Sequence, residues 1–376
     1  MNPCIYLSLA HMGGSEQTFI REAFDTNWVV PLGPNVDAFE QSLSDYLGEG
    51  RYVVALSSGT AAIHLALILI GVQEDDEVIC QSFTFIASAN PIVYLGAKPV
   101  FIDSETDTWN MDPLLLEEAI HDRLHKTGKI PKAIIVVHLY GMPAKMAEIR
   151  KIADRYEIPV IEDAAEALGS VLNGQKCGSF GDFGIFSFNG NKIITTSGGG
   201  ALVCRTEEQA QQTKFFATQA RDNAPHYQHS HIGYNYRMSN ICAGIGRGQM
   251  QVLDEHITRR REIHQLYINL LKDVPGITVM QPPTSDYEPN CWLTCILVDS
   301  QLAGKSREDI RLKMETNNIE TRPLWKPMHL QPVFADAKVY VNGISEHLFD
   351  TGLCLPSGSM LNENDIERVT ETIKYR

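Results

Sequence analysis

Residues 50–205 alternate short apolar runs with segments of helical spacing, and this rhythm limits the fold more than any other feature of the chain. Strands are predicted at 52–56, 77–81, 99–102, 133–138 and 159–162, and helices at 60–70, 88–95, 113–125 and 147–156. Strands that alternate with helices build a mostly parallel sheet with helices on both faces. A hairpin-like pair of strands at 183–188 and 199–203 is predicted to close this layer.

The pattern changes beyond residue 236. The segment 241–271 is dominated by helix formers without proline, which predicts one long helix or two helices with a break. Its three consecutive arginines, 259–261, are typical of a solvated helix face rather than of a ligand site. A strand at 292–298, a helix at 306–317 and a proline-rich stretch at 323–332 follow. We therefore predict an α/β fold with a large domain and N-terminal arm over 1–250, and a connecting helix and small α+β domain over 251–376.

Composition and charge exclude several classes of protein. The formal net charge is −14, so binding to a polyanion such as nucleic acid is disfavoured, whereas a small anionic ligand needs only a local site. The N-terminus lacks the pattern of a signal peptide, and the longest apolar run, 63–72, is about half of a membrane span. The eight cysteines have no framework spacing. We therefore expect a cytoplasmic protein with free thiols and no metal site.

Three segments carry candidate site residues. The first, 57–61, follows a predicted strand and opens a predicted helix, where free N–H groups and the small Gly59 favour a phosphate. An ordinary capped helix start is the alternative. The second, 160–166, is a buried strand that ends in Asp163 and is followed by Glu166. A carboxylate at that strand end can pair with a cation or a protonated ring nitrogen, or Asp163 can cap a following helix.

The third segment, 186–192, ends in Lys192, which lies in a short polar loop between apolar strands. Such a lysine is a candidate nucleophile for a carbonyl group, and a surface lysine in a turn is the alternative. The three segments occur in the order phosphate cradle, aspartate and lysine. Together they supply what a pyridoxal 5′-phosphate enzyme requires: a held phosphate, a protonated ring nitrogen and a covalently bound aldehyde.

Six motifs complete this pattern, within a resemblance that runs from about His11 to beyond Pro356: SSGTAAIHLAL, SFTFIASANPI, IEDAAEALGS, FSFNGNKIITTSGGG, GYNYRMSN and ETRPLWKPMHLQPVF. On these motifs the chain closely resembles the DegT/StrS family of sugar aminotransferases, which implies the aspartate-aminotransferase (type I) fold. Glu166 and Asn189-Gly190 replace residues common in that family and match its bacillosamine branch, which acts on UDP-4-keto-6-deoxy-N-acetylglucosamine. Cys80-Gln81 replaces a usual proline without a catalytic consequence.

The resemblance implies a role for each matched position. Lys192 would bind the cofactor covalently and move the proton between the cofactor and the sugar C4. Asp163 would pair with the ring nitrogen, and Glu166 would contact the ring hydroxyl or the substrate. Phe85 would stack on the ring, with a plain core aromatic as the alternative. The phosphate would be held by Ser58, Gly59, Thr60 and Ser187, and by Asn235 from the partner subunit of a homodimer.

The same resemblance implies an anionic substrate. Arg237, Arg322, Lys326 and His329 would bind the nucleotide sugar, with surface ion pairs, or a packed core histidine for His329, as the alternatives. The reaction would move an amino group from glutamate to C4 of a UDP-4-keto-6-deoxy-N-acetylhexosamine. Amination of another nucleotide keto sugar, such as a dTDP-linked one or at C3, is the main alternative. A sugar dehydratase of the same fold is disfavoured by Lys192, and a non-catalytic scaffold by the intact lysine–aspartate pair.

Overall fold

The computed structural model describes residues 3–374. The strands in this range are β1 Tyr52–Leu56, β2 Glu77–Gln81, β3 Lys98–Ile102, β4 Ala133–Val137, β5 Val160–Asp163, β6 Val171–Leu172, β7 Gln175–Lys176, β8 Phe183–Ser187, β9 Gly200–Cys204, β10 Ile277–Val279, β11 Tyr287–Glu288, β12 Thr294–Val298, β13 Arg322–Pro323, β14 Lys338–Tyr340 and β15 Gly352–Leu355. The α-helices are α1 Glu16–Asp25, α2 Pro34–Leu47, α3 Gly59–Ile70, α4 Asn90–Tyr94, α5 Pro113–Thr127, α6 Met146–Arg155, α7 Glu207–Ala217, α8 Asn240–Met250, α9 Leu253–Leu271, α10 Ser300–Ala303, α11 Arg307–Thr316, α12 Ile344–Thr351 and α13 Glu363–Lys374.

Eight strands form the large sheet, in the order β1-β9-β8-β5-β4-β2-β3-β14. The six strands from β8 to β14 are parallel, whereas β9 is antiparallel to both β8 and β1. The predicted mostly parallel sheet and the hairpin-like pair at its side are therefore confirmed. The centre of the sheet is covered on both faces, because every residue of β4 is buried.

The four helices predicted between residues 60 and 156 match α3, α5 and α6 within a few residues, with one exception, whereas α2 and α7, which also pack on this sheet, were not predicted. The predicted helix at 88–95 is instead a 3-10 turn, Ile86–Ser88, followed by α4. Pro91 is the reason, because proline has no N–H and is tolerated only in the first turn of a helix. The break places Phe85 and Ser88 in one tight turn after β2.

The C-terminal part has its own four-stranded antiparallel sheet, β10-β12-β15-β13. For the segment 241–271, the alternative of two helices with a break is correct, since α8 and α9 are separate helices. Among the described residues, three strand pairings cross between the parts of the chain: β14 joins the large sheet beside β3, β11 pairs with β6, and Ile5 forms a bridge with Ile319. The boundary at residue 250 stays a prediction, and residues 1–2 and 375–376 of the predicted domains lie outside the described range.

The prediction that the three arginines 259–261 lie on a solvated helix face is wrong for Arg260. This residue points into the core between α9 and the C-terminal sheet and is almost completely buried. Its guanidinium donates to the carbonyl oxygens of Trp292 at 2.6 Å and Ser357 at 2.9 Å, and to Ser8 Oγ at 3.0 Å. Burial lowers the pKa of Arg260 to about 10, so the group remains cationic at neutral pH. A buried cation thus joins the N-terminal arm, α9 and the segment that leads into β12.

We expect Arg260→Ala to lower the free energy of unfolding by about 3 kcal/mol, because three buried acceptors would lose their donor. Urea unfolding followed by circular dichroism measures this difference. Arg259→Ala is the matched control on the same helix: Arg259 is partly exposed and pairs with Glu262, so its loss should cost less than about 1 kcal/mol. An Arg260→Met variant as stable as the wild type would contradict the structural role.

Among residues 3–374, none of the helices combines the length and the apolar composition needed to cross a lipid bilayer. The eight cysteines are unpaired thiols. One buried cluster, His138, Glu162 and Cys177, has the composition of a metal site. Its carboxylate is already used, because Glu162 accepts hydrogen bonds from His138 Nε2 at 2.7 Å and from the N–H groups of Phe180 and Gly181. The cluster therefore ties β4 to the loop before β8.

Candidate active site

A cavity of about 350 Å³ opens where the large sheet presents the carboxyl ends of its parallel strands. β1 runs parallel to β8 because both are antiparallel to β9, so the ends of β1, β2, β4, β5 and β8 meet at this edge. Eight of the predicted site residues line the cavity: Ser58, Gly59, Thr60, Phe85, Asp163, Glu166, Ser187 and Lys192. These residues come from segments far apart in sequence, and the sheet topology brings them together.

The end of the cavity formed by α3 suits a phosphate. Ser58 Oγ accepts the N–H of Ala61 at 3.0 Å, so the capping alternative is correct for this side chain. The first N–H groups of a helix have no partner inside it, which leaves those of Gly59 and Thr60 at an electropositive helix start. A Cβ on Gly59 would meet Ser187 Cβ at 3.3 Å, so glycine lets the end of β8 approach.

Asp163 closes the opposite end of the cavity from the last position of β5. Its Oδ2 accepts the Ser88 hydroxyl at 2.7 Å, and its Oδ1 accepts the N–H of Ala165 at 3.2 Å. Burial raises the pKa of this carboxyl, and the two hydrogen bonds and the charge of Lys192 oppose that rise. The helix-cap alternative is wrong, because no helix of the described chain follows Asp163 before β6.

Lys192 projects into the cavity from a turn in which its N–H donates to the carbonyl of Asn189. Its Nζ lies 3.5 Å from Glu166 Oε1 and 4.1 Å from the centre of the Trp292 ring. The side chain is 14% exposed, so the surface-turn alternative is wrong. Burial raises the pKa of Glu166, whose other oxygen accepts the N–H of Tyr140 at 2.7 Å. A cation, a carboxyl group and an indole thus meet at one point.

Aromatic side chains form one wall of the cavity. Phe85 is 50% exposed, so it is not a core residue, and its ring contacts Trp325 with centroids 5.3 Å apart. Tyr140 stacks between Trp325 and Trp292, at 6.1 and 6.3 Å. Sequence reasoning missed Ser88, Tyr140, Trp292 and Trp325. Ser88 and Trp325 lie inside motifs already singled out, whereas nothing local relates Trp292 to Lys192.

Two predicted residues near residue 236 lie outside the cavity lining. Arg237 is buried and pairs with Glu40 at 2.7 Å, in the manner of the ion-pair alternative. Asn235 is exposed on the surface, where it forms a bridge with Thr218. Asn235 therefore does not reach the cavity of its own chain, and its predicted role requires a second copy. Both roles stay predictions.

None of the remaining three predicted substrate residues belongs to the described lining of this cavity. Lys326 is exposed. His329 is packed, with Nδ1 2.7 Å from Ser82 Oγ and Nε2 3.2 Å from Glu346. Arg322 pairs with Glu320 at 2.9 Å and lines a neighbouring cavity of about 460 Å³, which shares Asn191, Trp292 and Trp325 with the first. The binding roles of these three residues also stay predictions.

The donor set fits pyridoxal 5′-phosphate. The helix start and the Ser187 hydroxyl suit its phosphate, Asp163 suits a protonated ring nitrogen, and Lys192 suits its aldehyde. When bound, this cofactor supplies an electron sink for bonds to the amino-bearing carbon. The chain's own residues would bind its two polar ends, cover its ring and supply an amine beside its reactive carbon.

Comparisons with known proteins agree with this chemistry. Residues 11–374 match the model of the DegT/DnrJ/EryC1/StrS aminotransferase family. The chain is 52% identical to EpsN of Bacillus subtilis (strain 168), assigned as a pyridoxal phosphate-dependent aminotransferase, over 100% of this chain and 96% of that one. It is 36% identical to the GDP-perosamine synthase of Escherichia coli O157:H7, over 96% and 95% of the two chains.

A solved structure gives the same result for the fold. The crystal structure of a DegT DnrJ EryC1 StrS aminotransferase from Brucella abortus superimposes with a TM-score of 0.89 at 29% identity, over 96% of this chain and 94% of that one. The type I fold and the pyridoxal phosphate dependence expected from the motifs are confirmed. The chain belongs to the DegT/DnrJ/EryC1/StrS family and is a pyridoxal phosphate-dependent sugar aminotransferase.

Proposed function

We propose that this aminotransferase moves an amino group from glutamate to C4 of a UDP-4-keto-6-deoxy-N-acetylhexosamine. The product would be a UDP-4-amino-4,6-dideoxy sugar for bacterial glycan synthesis. The observation that carries the proposal is the meeting of Lys192 with Glu166 in the cofactor cavity. Glu166 and the Asn189-Gly190 pair are the positions at which the chain resembles the bacillosamine branch of the family.

Each cavity residue has a task in this reaction. Lys192 would bind the cofactor and then carry the proton between cofactor and sugar, as the amine nearest the reactive carbon. Glu166, 3.5 Å away, would hold the amine in place through an ion pair or a hydrogen bond. The wall of Phe85, Trp292 and Trp325 would exclude water from the reacting atoms.

The substrate's diphosphate requires cations, and Lys192 is the single cation among the described residues that line the cofactor cavity. We propose that Arg322, which lines the neighbouring cavity, binds the nucleotide sugar together with Lys326, Arg237 and His329. We further propose a homodimer in which Asn235 of one subunit reaches the cofactor phosphate of the other. The exposure of Asn235 and its absence from the lining of its own cavity support this arrangement, as do the exposed apolar residues between Phe24 and Leu32.

A GDP-linked keto sugar is the second candidate substrate. The observation that favours it is the 36% identity to a GDP-perosamine synthase over nearly the full length of both chains. The two candidates differ in the nucleotide base. A direct comparison of substrates can therefore distinguish them.

The test is a panel of UDP-, GDP- and dTDP-linked 4-keto-6-deoxy sugars, each incubated with cofactor-loaded enzyme and glutamate. We expect the UDP-linked N-acetylhexosamine to have a kcat/KM at least about tenfold above the others, since the site would lose polar contacts with the wrong sugar. Mass spectrometry and NMR identify the product and the configuration at C4.

Lys192→Ala enzyme, treated identically, gives the background for each sugar. A kcat/KM that is highest for the GDP-linked sugar would transfer the proposal to the second candidate. Amination at C3 in place of C4 would contradict both.

A further inference from the structure

The motif SFTFIASANPI contains two buried hydroxyl groups to which no role has yet been given. Ser88 Oγ donates to Asp163 Oδ2 at 2.7 Å, across the gap between the segment after β2 and the end of β5. Thr84 Oγ1 lies 2.9 Å from Ser88 Oγ. All three side chains are buried, so bulk water cannot replace these hydrogen bonds.

The hydrogen bonds have one consistent direction when Asp163 is ionised. A carboxylate can only accept, so the single hydrogen of the Ser88 hydroxyl is directed at Asp163. The Thr84 hydroxyl must then donate to Ser88. The Ser88 N–H also bonds to the Phe85 carbonyl at 3.1 Å, which fixes Ser88 in the same tight turn as the aromatic ring that faces the cavity. One turn therefore sets both the ring wall and the orientation of the carboxylate.

We propose that Ser88, oriented by Thr84, is a positioning residue for Asp163 and keeps its carboxylate ionised for pairing with the protonated ring nitrogen of the cofactor. The inference goes beyond the proposed substrate, because it concerns how the chain binds pyridoxal 5′-phosphate whatever sugar it aminates. It rests on the pairing role of Asp163 alone.

Several other groups face Asp163. Lys192 and His138 favour its charged form, whereas Glu166 and the buried thiol of Cys80 lie close enough to be affected by its charge. Burial raises the pKa of Asp163, and the Ser88 hydrogen bond is the foremost influence that lowers it. Without the hydroxyl the pKa of Asp163 must therefore rise. Only the ionised form of Asp163 pairs with the protonated ring nitrogen. As the pH is lowered, a protein without the Ser88 hydroxyl would therefore lose affinity for the cofactor at a higher pH than the wild type does.

The experiment measures the dissociation constant of pyridoxal 5′-phosphate from the apoprotein across the acidic and neutral range. For Ser88→Ala we expect the pH at which affinity falls to move up by about one unit, as for loss of one hydrogen bond to a charged group. Thr84→Val should move it in the same direction by less. Ser88→Thr keeps the hydroxyl and should restore the wild-type profile.

Ser187→Ala is the matched control, since it removes a cavity hydroxyl at the phosphate end. It should weaken binding by a similar factor at every pH, without moving the profile. A Ser88→Ala profile parallel to that of the wild type would overturn the proposal. Thr84→Val provides the same test if Ser88→Ala does not fold. Because no sugar is present, failure here and failure of the proposed function are separate results.

Discussion

Lys192→Ala should abolish turnover, with a loss of at least about a thousandfold, because in the proposed reaction this one side chain would both bind the cofactor aldehyde and move the proton. No other amine lines the cavity among the described residues, so none can replace it. The visible absorbance of the purified protein, before and after removal of free cofactor, measures the loss of covalent attachment. Amination of a keto sugar measures the loss of turnover.

Lys126→Ala, an exposed lysine in an ion pair on α5, is the control for loss of a positive charge and should leave both readouts unchanged. Unchanged visible absorbance in Lys192→Ala would contradict the role of the lysine.

The Lys192→Ala variant also tests whether each active site is shared between the two subunits of a dimer. If Asn235 acts across a dimer, mixing Lys192→Ala with Asn235→Ala and reassembling the subunits should restore about a quarter of the sites.

Asp163→Asn should lower kcat by about a hundredfold to a thousandfold, the usual cost of removing one preorganised electrostatic partner. The amide has the shape of the carboxylate but no charge, so the ring nitrogen would lose the group that keeps it protonated. Turnover with saturating cofactor, together with the pH dependence of the cofactor spectrum, measures this effect. A change in cofactor affinity without a change in kcat would contradict it.

Glu162→Gln is the matched control, because adjacent residues of a strand point to opposite faces of the sheet. Glu162 accepts several backbone hydrogen bonds and one from His138, away from the cavity. Its substitution should lower the free energy of unfolding by about 2 kcal/mol and leave the cofactor spectrum unchanged. Within β5 we thus expect Glu162 to contribute to stability and the adjacent Asp163 to contribute to catalysis.

Much of this site could be predicted because its residues stand at strand ends. The alternation of strands and helices implies a parallel sheet, and a parallel sheet places those ends along one edge. Asp163, Lys192 and the helix start at Gly59 are recognisable from that placement and from the family motifs. The resemblance also supplied Glu166 and Phe85, whose roles the local pattern alone left open.

Other features depend on contacts between distant segments. Trp292 is placed against Lys192, and Arg260 holds the backbone of Trp292 from the other side. The three arginines suggested a solvated helix face because the local sequence does not show which distant residues pack against them. Ser88 reaches Asp163 only because β2, which leads into the turn of Ser88, and β5, which carries Asp163, lie in one sheet with β4 between them.

The sequence by itself determined the layered α/β fold, the cofactor and the positions of the groups that we propose to meet its polar ends. Those properties follow from local periodicity and from short motifs, which involve residues that are close together in the sequence. Only the tertiary structure decided which hydroxyl holds the aspartate, which indole contacts the lysine and which arginine is buried. Each of these depends on the close packing of side chains that are tens to hundreds of residues apart, and packing of that kind is specified by the whole chain at once.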